Sequence, residues 1–399
     1  MATATRPAAS VEPRSAYLMA LTDWLACASA GTGERAARAV RASGDDLLAD
    51  VAFAATAGHV LDFDDTLAAG VAHVSSTTAP AALVLAAHRG LSSQAALDAY
   101  AEGYEAMAVV AIASHPSLYD AGWHPTAVCG PIGAVVAASR LLGLTPEQHQ
   151  NAIAVALLRA GGTRGAFGSD GKAIQVGLAA AAGVQAAILA GAGARVDPRA
   201  VHGPLGFEAV LGAAWPRAGL EGGEPAITQN WIKLHPSCLG THSTIDAASQ
   251  AREALSGGPV RVAVHPVARQ AAHLDAVSDG LSAKFSIPYC VAHTILHGPP
   301  RVGDFESIDG RVAARAAEVS VSVDDSLPQW GAVVGSPGRP PVRVDSPRGT
   351  PDRPLSRSEL ASKVADLAGE RLLVALRDLQ GPAAGALRAA GLELPAAGA

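Results

Sequence analysis

Apolar residues recur with the spacing of helices from residue 15 to about residue 230, and this pattern constrains the fold more than any other. Hydrophobic residues make up 49% of the 399-residue chain but aromatic residues only 4%, so the apolar surface is mostly alanine, leucine and valine. Helices with such small side chains can approach one another closely, which predicts a compact all-α body. One predicted helix begins at Ser92 or Ser93 and runs to about Ala113. Its apolar stripe comprises Ala96, Leu97, Tyr100, Tyr104 and Met107.

The periodicity changes after Trp231. Alternating apolar and polar residues predict three short strands, and helical spacing returns from Leu355 to about Ala390. The predicted strands are residues 260–264, 317–323 and 341–344. Strands that alternate with helical or Pro- and Gly-rich segments are typical of a small α+β domain.

Composition excludes two classes of protein. Charged residues are 17% of the chain, against roughly 25% in an ordinary soluble domain, and the net charge of −6 supplies no basic surface for nucleic acid. High hydrophobicity with few charges also excludes a disordered chain. The four cysteines are far apart and form no CxxC pair, which is typical of a reducing cytosol.

The sequence predicts a cytoplasmic protein without a membrane partner. Residues 1–14 are small, polar and proline-containing, and they lack the apolar core of a signal peptide. The low-charge run of residues 173–194 is mostly alanine and glycine and is interrupted by Gln175 and Gln185. This composition favours a buried helix over a membrane span.

Residues 62–66 (Asp-Phe-Asp-Asp-Thr) match the DxDxT motif of haloacid-dehalogenase-type phosphatases, in which the first carboxylate attacks phosphorus. That chemistry needs the motif at the end of a buried parallel strand and a later acidic pair for Mg²⁺, for which Asp304 and Asp309 are available. The ten residues before Asp62 are instead alanine-rich, and no βαβ pattern surrounds them. A Mg²⁺-dependent phosphatase is therefore a minor alternative.

Residues 168–172 (Gly-Ser-Asp-Gly-Lys) resemble the end of a phosphate-binding loop but lack its spacing and its Ser or Thr after the lysine. Lys172 follows a Gly-rich turn at the start of a predicted helix, where backbone N–H groups and the helix dipole favour an anion. A carboxylate would suit such a position as well as a phosphate.

Four blocks of polar residues interrupt the apolar helical pattern. They are residues 59–66 with His73, residues 122–126, residues 168–172, and residues 231–238 with His242. In this order the blocks resemble the MmgE/PrpD family, which includes 2-methylcitrate dehydratase, cis-aconitate decarboxylase and iminodisuccinate epimerase. The resemblance extends from about Tyr17 to Leu376 and includes further segments at residues 103–105, 137–144 and 284–289.

The resemblance implies a mainly α fold with two domains. A large all-α helical domain is formed by both chain ends, residues 1–231 and 355–399, and a smaller α+β lid domain, residues 232–354, is inserted between them. The active site is then expected in the cleft between the domains. The resemblance also implies a homodimer and a reaction that needs no metal or organic cofactor.

The family's motifs imply catalytic roles for Asp62, His73, His124, Lys172 and Lys233, and substrate-binding roles for Thr66 and Tyr289. Family substrates are di- or tricarboxylates whose reaction moves a proton next to a carboxylate. The two lysines can hold carboxylates and stabilise developing negative charge. The two histidines suit proton transfer near neutrality, and the aspartate can orient one of them. How base and acid divide between the histidines and lysines stays open.

The sequence thus predicts a cofactor-independent lyase, a dehydratase or decarboxylase, that acts on a small polycarboxylate. An epimerase or isomerase with the same proton chemistry is the main alternative, and a catalytically silent paralogue is another. Two departures from the family pattern indicate a substrate other than methylcitrate. One residue is inserted between Thr66 and His73, and Gln175 stands where a histidine often follows Lys172.

Lysine is rare in this chain and accounts for four of the 30 basic residues. Lys172 and Lys233 lie in the polar blocks, and Lys284 lies in a further similar segment, although a solvated strand edge would also suit it. Lys363, on the C-terminal helix, is expected to be incidental. The guanidinium group of arginine is planar and permanently charged, whereas the ammonium group of lysine is compact and its pKa can be lowered by burial. The bias therefore indicates a site that needs the ammonium group itself.

Overall fold

The computed structural model describes residues 12–216 and 224–393. Within these residues the chain is mainly α-helical with small sheets, which confirms the predicted fold class at that level. The helices are α1 (Pro13–Gly31), α2 (Arg35–Arg41), α3 (Leu47–Val60), α4 (Ser75–His88), α5 (Ser93–Ala113), α6 (Ser117–Asp120), α7 (Pro125–Leu142), α8 (Pro146–Leu157), α9 (Gly171–Gly191), α10 (Arg199–His202), α11 (Phe207–Leu211), α12 (His242–Gln250), α13 (Pro266–Ala271), α14 (Gly280–Ala283), α15 (Ile287–His297), α16 (Gly310–Ala316), α17 (Arg357–Ala368), α18 (Glu370–Ala375) and α19 (Ala383–Ala389). The strands are β1 (Thr66–Leu67), β2 (Asn230–Trp231), β3 (Val260–Val264), β4 (Val319–Val323), β5 (Ala332–Gly335) and β6 (Val342–Val344).

Helix α9 lies at the centre of the helical body, where it contacts α3, α4, α7 and α8. Glycines on α9 allow these contacts. A Cβ atom on Gly177 would lie 2.6 Å from the carbonyl oxygen of Ala52 in α3, and one on Gly183 would lie 2.5 Å from Cβ of Ala134 in α7. Because Cβ atoms do not approach other atoms this closely, the small-residue pattern of the sequence sets the spacing of the central helices.

The C-terminal segment returns to the helical body, where α17 packs against α1 and α19 packs against α4 and α5. The sequence predicts one helical stretch from Leu355 to about Ala390, whereas the structure divides it into three helices. Gly369, with a φ of +75°, ends α17 because residues with a Cβ rarely adopt this backbone conformation. Gly381 and Pro382 separate α18 from α19.

The larger sheet has the strand order β4-β3-β5-β6, with β3 parallel to β4 and antiparallel to β5. The three predicted strands correspond to β3, β4 and β6. Val260, Val262 and Val264 of β3 are buried, as its period of two predicts. The sequence does not predict β5, because its residues Ala-Val-Val-Gly show no alternation of apolar and polar side chains.

The smaller sheet joins the first polar block to the fourth. β1 pairs with β2 in antiparallel register, with Thr66 opposite Trp231 and Leu67 opposite Asn230. The side-chain Nδ2 of Asn230 also donates to Oδ2 of the buried Asp65 at 2.8 Å. Two segments that are far apart in sequence therefore lie side by side.

The two largest buried hydrophobic clusters of the described residues follow this architecture. The first comprises the helical body and includes Leu360 and Leu372 of the C-terminal helices. The second lies against the larger sheet and includes Phe285 and Trp330. The division into a helical domain, residues 1–231 with 355–399, and an inserted lid, residues 232–354, stays a prediction.

Helices α7 and α9 are long and apolar enough to cross a membrane when judged by length and composition alone. Of their apolar windows, 78% in α7 and 61% in α9 is buried inside the protein. This burial agrees with the interpretation of residues 173–194 as a buried helix.

Replacing Gly177 by alanine should destabilise the protein although alanine favours helices. The new Cβ would lie 2.2 Å from Oγ1 of Thr56 and 2.6 Å from the carbonyl oxygen of Ala52, so α3 and α9 would have to separate. We expect urea unfolding to show a loss of about 1–3 kcal/mol in the free energy of unfolding. In the matched control Gly385→Ala, in α19, the Cβ meets no atom within 4 Å. The control should gain about 0.5–1 kcal/mol, and equal effects of the two substitutions would contradict this account of the packing.

Candidate active site

The predicted site is organised around the turn that follows α3. The helix ends at Val60, and Asp62 has a left-handed backbone with a φ of +53°. Few residues with a Cβ adopt this conformation, although aspartate tolerates it better than most. The N–H of Asp62 donates to the carbonyl of His59 at 3.0 Å. We refer to residues 61–63 as the Asp62 turn.

Two buried lysines from distant parts of the chain bind the carboxylate of Asp62. Nζ of Lys172, the second residue of α9, lies 2.9 Å from Oδ1, and Nζ of Lys233 lies 2.6 Å from the same oxygen. The rings of Phe167 and Phe285 flank the Lys172 ammonium group, with centroids 5.5 and 5.4 Å from Nζ. The ion pairs are therefore bordered by an apolar wall.

The backbone of the Asp62 turn binds lysines as well. Each of its carbonyl oxygens accepts a hydrogen bond from a lysine Nζ: Leu61 from Lys284 (2.7 Å), Asp62 from Lys233 (2.9 Å) and Phe63 from Lys363 (2.8 Å). Because Lys172 binds the carboxylate, all four lysines of the chain donate to this three-residue turn.

The structure corrects two expectations about the lysines. Lys363 is not incidental: its Nζ also donates to the carbonyl of Lys233 at 2.9 Å and lies 2.7 Å from Oδ1 of the buried Asp23 in α1. It thereby fixes the Asp62 turn and the Lys233 segment to one another. Lys284 is buried at the end of α14 and does not lie at a solvated strand edge.

Burial and ion pairing act in opposite directions on the buried charges. Burial alone would raise the pKa of Asp62, but the ammonium groups of Lys172 and Lys233 outweigh burial and hold this pKa well below its usual range. The carboxylate is therefore ionised near neutrality. Burial lowers the pKa of Lys284 to about 8 against the attraction of Asp62.

A second carboxylate, that of Asp64, orients two histidines. The Nδ1 atoms of His59 and His73 each lie 2.9 Å from Oδ2 of Asp64, and the two ring centroids are 4.6 Å apart. Burial lowers the pKa of His73 to about 4 although Asp64 opposes this shift, and burial lowers the pKa of His59 as well. Both imidazoles are therefore neutral at pH 7. With Nδ1–H facing Asp64, Nε2 of His73 can accept a proton, and it lies 3.8 Å from Oδ1 of Asp62.

His59, Asp64 and His73 also have the spacing of a metal site, since one donor atom of each lies within 4.8 Å of the others. Imidazole nitrogen and carboxylate oxygen are ordinary ligands of Zn²⁺. Nδ1 of His59 is hydrogen-bonded to Oδ2 of Asp64, and the hydroxyl of Ser76 donates to the same oxygen at 2.5 Å. The geometry is that of a carboxylate that orients two imidazoles.

His124 lies immediately before α7 and beside the other two histidines. Its ring stacks on that of His59, with centroids 6.0 Å apart, and contacts the ring of Phe167 edge-on at 5.0 Å. Its Nδ1 is 2.6 Å from the side-chain amide nitrogen of Gln175 on α9. Burial and the ammonium group of Lys172 lower the pKa of His124 well below that of a free imidazole.

The structure brings the five predicted catalytic residues into one buried cluster: Asp62, His73, His124, Lys172 and Lys233. The two predicted substrate-binding residues make other contacts. The hydroxyl of Thr66 donates to the carbonyl of Ala72 at 3.4 Å. The hydroxyl of Tyr289 accepts the N–H of Asp309 at 3.1 Å, and its ring belongs to a separate hydrophobic cluster. The roles of all seven residues stay predictions.

Sequence reasoning gave no role to four buried residues of this region: His59, Asp64, Lys284 and Lys363. For the lysines the signal was in the composition, because a chain with 30 basic residues uses lysine at four positions and buries every one of them. His59 and Asp64 lie in the first polar block, but the sequence did not single them out, because a lone histidine in a helical protein is usually structural and aspartate beside a helix terminus is ordinarily a capping residue.

The surroundings of the DxDxT segment do not match those of a phosphatase. The segment follows helix α3, and the strand that it forms, β1, pairs in antiparallel register. Asp304 accepts the N–H of Arg301, and Asp309 caps α16, so the acidic pair is engaged in local backbone contacts. Asp62 therefore does not follow a buried parallel strand, which the phosphatase chemistry requires.

We expect Lys284 to make stability depend on pH above neutrality. Its pKa falls from 10.5 to about 8 on folding, so between these values the unfolded chain binds more protons and the free energy of unfolding rises with pH. The contribution is about 3 kcal/mol, since one pKa unit corresponds to 1.36 kcal/mol. Urea unfolding of the wild type and Lys284→Met at both ends of this range measures it. The wild type should gain stability relative to the variant as the pH rises, and a difference that is constant with pH would contradict the burial of a charged lysine.

Comparison with known protein families supports the motif order. The model of the MmgE/PrpD N-terminal domain matches residues 46–217, and the model of the MmgE/PrpD C-terminal domain matches residues 235–379. Together the two matches cover well over half of the chain and include four of the five predicted catalytic residues, while Lys233 lies between the two matches.

Three curated relatives are similar to this chain over a smaller part of its length. Cis-aconitate decarboxylase of Homo sapiens is 29% identical over 211 residues, which are 49% of this chain and 43% of the relative. A cis-aconitate decarboxylase-like protein of Aspergillus oryzae, oryM, is 30% identical over 206 residues, which are 47% of this chain and 43% of the relative. Cis-aconitate decarboxylase of Mus musculus is 29% identical over 141 residues, which are 33% and 28% of the two chains. The matched region thus spans less than half the length of each relative. On the two domain matches, this chain belongs to the MmgE/PrpD family.

Proposed function

We propose that this chain is a cofactor-independent lyase that removes water or carbon dioxide from a small di- or tricarboxylate by proton transfer next to a carboxylate. One observation carries the proposal: the buried Asp62 carboxylate is held between Nζ of Lys172 and Nζ of Lys233, beside the imidazoles of His73 and His124. Cations that can hold carboxylates and groups that can move protons thus occupy one site.

The charges of this cluster favour an anionic substrate. Lys172, Lys233 and Lys284 supply three ammonium groups, Asp62 and Asp64 supply two carboxylates, and burial keeps the neighbouring imidazoles neutral. Among these groups one positive charge is in excess, because Lys363 pairs with Asp23 and burial raises the pKa of Asp65 well above its usual range, which favours the neutral form of that carboxyl. A substrate carboxylate would neutralise this charge. The exposed fractions of Lys172 and Lys233 are 8% and 1%. Their interactions are strong because little water screens them.

The proposed chemistry follows from these positions. When a bond to the carbon next to a carboxylate breaks, negative charge spreads onto the carboxylate oxygens, where Lys172 and Lys233 stabilise it. In a dehydration, Nε2 of His73 takes the proton from carbon while Asp64 holds the opposite side of the ring. The hydroxyl leaves as water with one proton, which balances the proton that His73 took and then releases. In a decarboxylation, carbon dioxide leaves first and the carbon then takes up a proton from solvent.

The names of the relatives make cis-aconitate the first substrate to test. Two of those relatives are named cis-aconitate decarboxylase, and a third is named as similar to it. Each match covers less than half of the relative, so decarboxylation by this chain, and its substrate, belong to the proposal.

The proposal also includes a cytoplasmic location, and a homodimer, which the family resemblance implies. The four cysteines are free thiols, in keeping with a reducing compartment. Leu178, Ile188 and Leu189 are exposed on α9 and offer an apolar face to a second subunit.

The direct test is incubation with citrate, methylcitrate, cis-aconitate and iminodisuccinate in D₂O, followed by NMR. Loss of carbon dioxide, or loss or addition of water, is the expected result. Deuterium incorporation without net conversion would indicate the epimerase or isomerase alternative. Turnover of none of these compounds would favour the silent paralogue and contradict the proposal.

Asp62→Asn should abolish most of the activity found in that test. The substitution removes the charge that organises Lys172 and Lys233, and we expect kcat/KM to fall about 100-fold or more, the scale for loss of a charge-stabilising group in an active site. The control is Asp120→Asn, which neutralises an exposed carboxylate on α6. Circular dichroism should show that both variants are folded. Full activity of folded Asp62→Asn would contradict the placement of the site.

A further inference from the structure

The side-chain amide of Gln175 lies between the backbone of Thr163 and the imidazole of His124. Its Oε1 accepts the N–H of Thr163 at 3.0 Å. Its Nε2 donates to the carbonyl of Thr163 at 3.3 Å and lies 2.6 Å from Nδ1 of His124. Both ends of the amide are therefore engaged.

Thr163 determines which end of the amide faces the histidine. If oxygen and nitrogen were exchanged, the NH₂ group would face the N–H of Thr163 and the amide oxygen would face its carbonyl, so both contacts would become repulsive. The segment that carries Thr163 is itself fixed, because Thr163 pairs with Trp123 and the N–H of His124 donates to the carbonyl of Gly162 at 2.9 Å. The amide nitrogen is therefore the end that faces His124.

An amide nitrogen only donates, so Nδ1 of His124 must accept and the ring proton lies on Nε2. A second proton, on Nδ1, would face the NH₂ group of Gln175, and two donors repel one another. Most of the other charged and titratable neighbours also favour the neutral form of His124. Burial, Lys172, His59 and His73 lower the pKa of His124, and Asp62 opposes them. Within the part of the chain that the structure describes, no hydrogen bond engages Nε2.

The two catalytic histidines therefore differ in their Nδ1 partners. For His73 the group nearest Nδ1 is the carboxylate of Asp64, 2.9 Å away, which can only accept and so favours a proton on Nδ1 and a bare Nε2 that can take up another. For His124 the partner is the amide nitrogen of Gln175, a donor, so Nε2 carries the proton. The two histidines thus favour opposite tautomers within one site.

We infer that Gln175 is a positioning residue that holds His124 as the neutral Nε2–H tautomer, so that His124 donates a hydrogen bond to a substrate oxygen and does not act as the base. This inference rests on the proposed lyase function and assigns the base role to His73. A neutral imidazole can serve in this way, because its N–H stabilises charge that develops on oxygen without transfer of the proton.

The tautomer can be measured without any substrate. In protein labelled with ¹⁵N-histidine, long-range ¹H–¹⁵N NMR spectra distinguish a protonated ring nitrogen from an unprotonated one, and His124→Asn assigns the signals. The expected result for the wild type is a bare Nδ1 and a protonated Nε2 at pH 7. A proton on Nδ1 of His124 would overturn the inference, even if the enzyme proves to be a lyase. Absence of turnover with the expected tautomer would instead count against the proposed function alone.

Substitution of Gln175 tests whether its amide sets the tautomer of His124. Gln175→Glu replaces the donor by an acceptor, so Nδ1 should become protonated and kcat should fall about 100-fold, the scale for loss of one donor to a developing charge. Gln175→Met keeps the shape without either contact and should populate both tautomers. Gln185→Glu, further along α9, is the matched control and should change neither quantity. A wild-type tautomer in both Gln175 variants would overturn the inference, whatever happens to their activity.

Discussion

The Asp62 turn is the constraint on which the rest of the site depends. Its three carbonyl oxygens and one carboxylate take hydrogen bonds from the four lysines of the chain. Those lysines come from α9, from the segment after β2, from the end of α14 and from α17. A single turn thereby gathers four segments that span most of the sequence. The left-handed backbone of Asp62 persists because these surrounding contacts hold it in place.

Such an arrangement is a costly way to stabilise a fold. Buried charges pay a desolvation cost that ion pairing offsets only in part, and removing one partner of a buried pair typically costs about 3–5 kcal/mol. Here two ammonium groups share the carboxylate of Asp62, and the third, that of Lys284, binds a neutral carbonyl. The excess positive charge is poorly compensated by the protein itself. A bound carboxylate would complete the balance, which links the electrostatics of the free protein to its proposed substrate class.

Sequence reasoning reached the residues whose signal is local. Asp62, Lys172 and Lys233 each lie in a polar block within an apolar pattern, and the order of the blocks identified the family. It could not reach Lys363, because this lysine binds the backbone carbonyls of Phe63 and Lys233 and the carboxylate of Asp23 in α1, and no local sequence pattern indicates contacts between segments so far apart. It could not divide the roles of the histidines either, since their tautomers depend on whether a carboxylate or an amide faces Nδ1. Strand β5 was not predicted because its four residues do not alternate between apolar and polar side chains.

The central claim is that this cluster is a carboxylate-binding site. The most direct measurement is a crystal structure of the protein with tricarballylate, a saturated tricarboxylate that has neither a hydroxyl to lose nor a double bond. The account predicts one carboxylate oxygen about 2.7–3.2 Å from Nζ of Lys172 and another within the same distance of Nε2 of His124, the range of ordinary hydrogen bonds. A ligand bound elsewhere, with the lysines of the Asp62 turn unchanged, would contradict it.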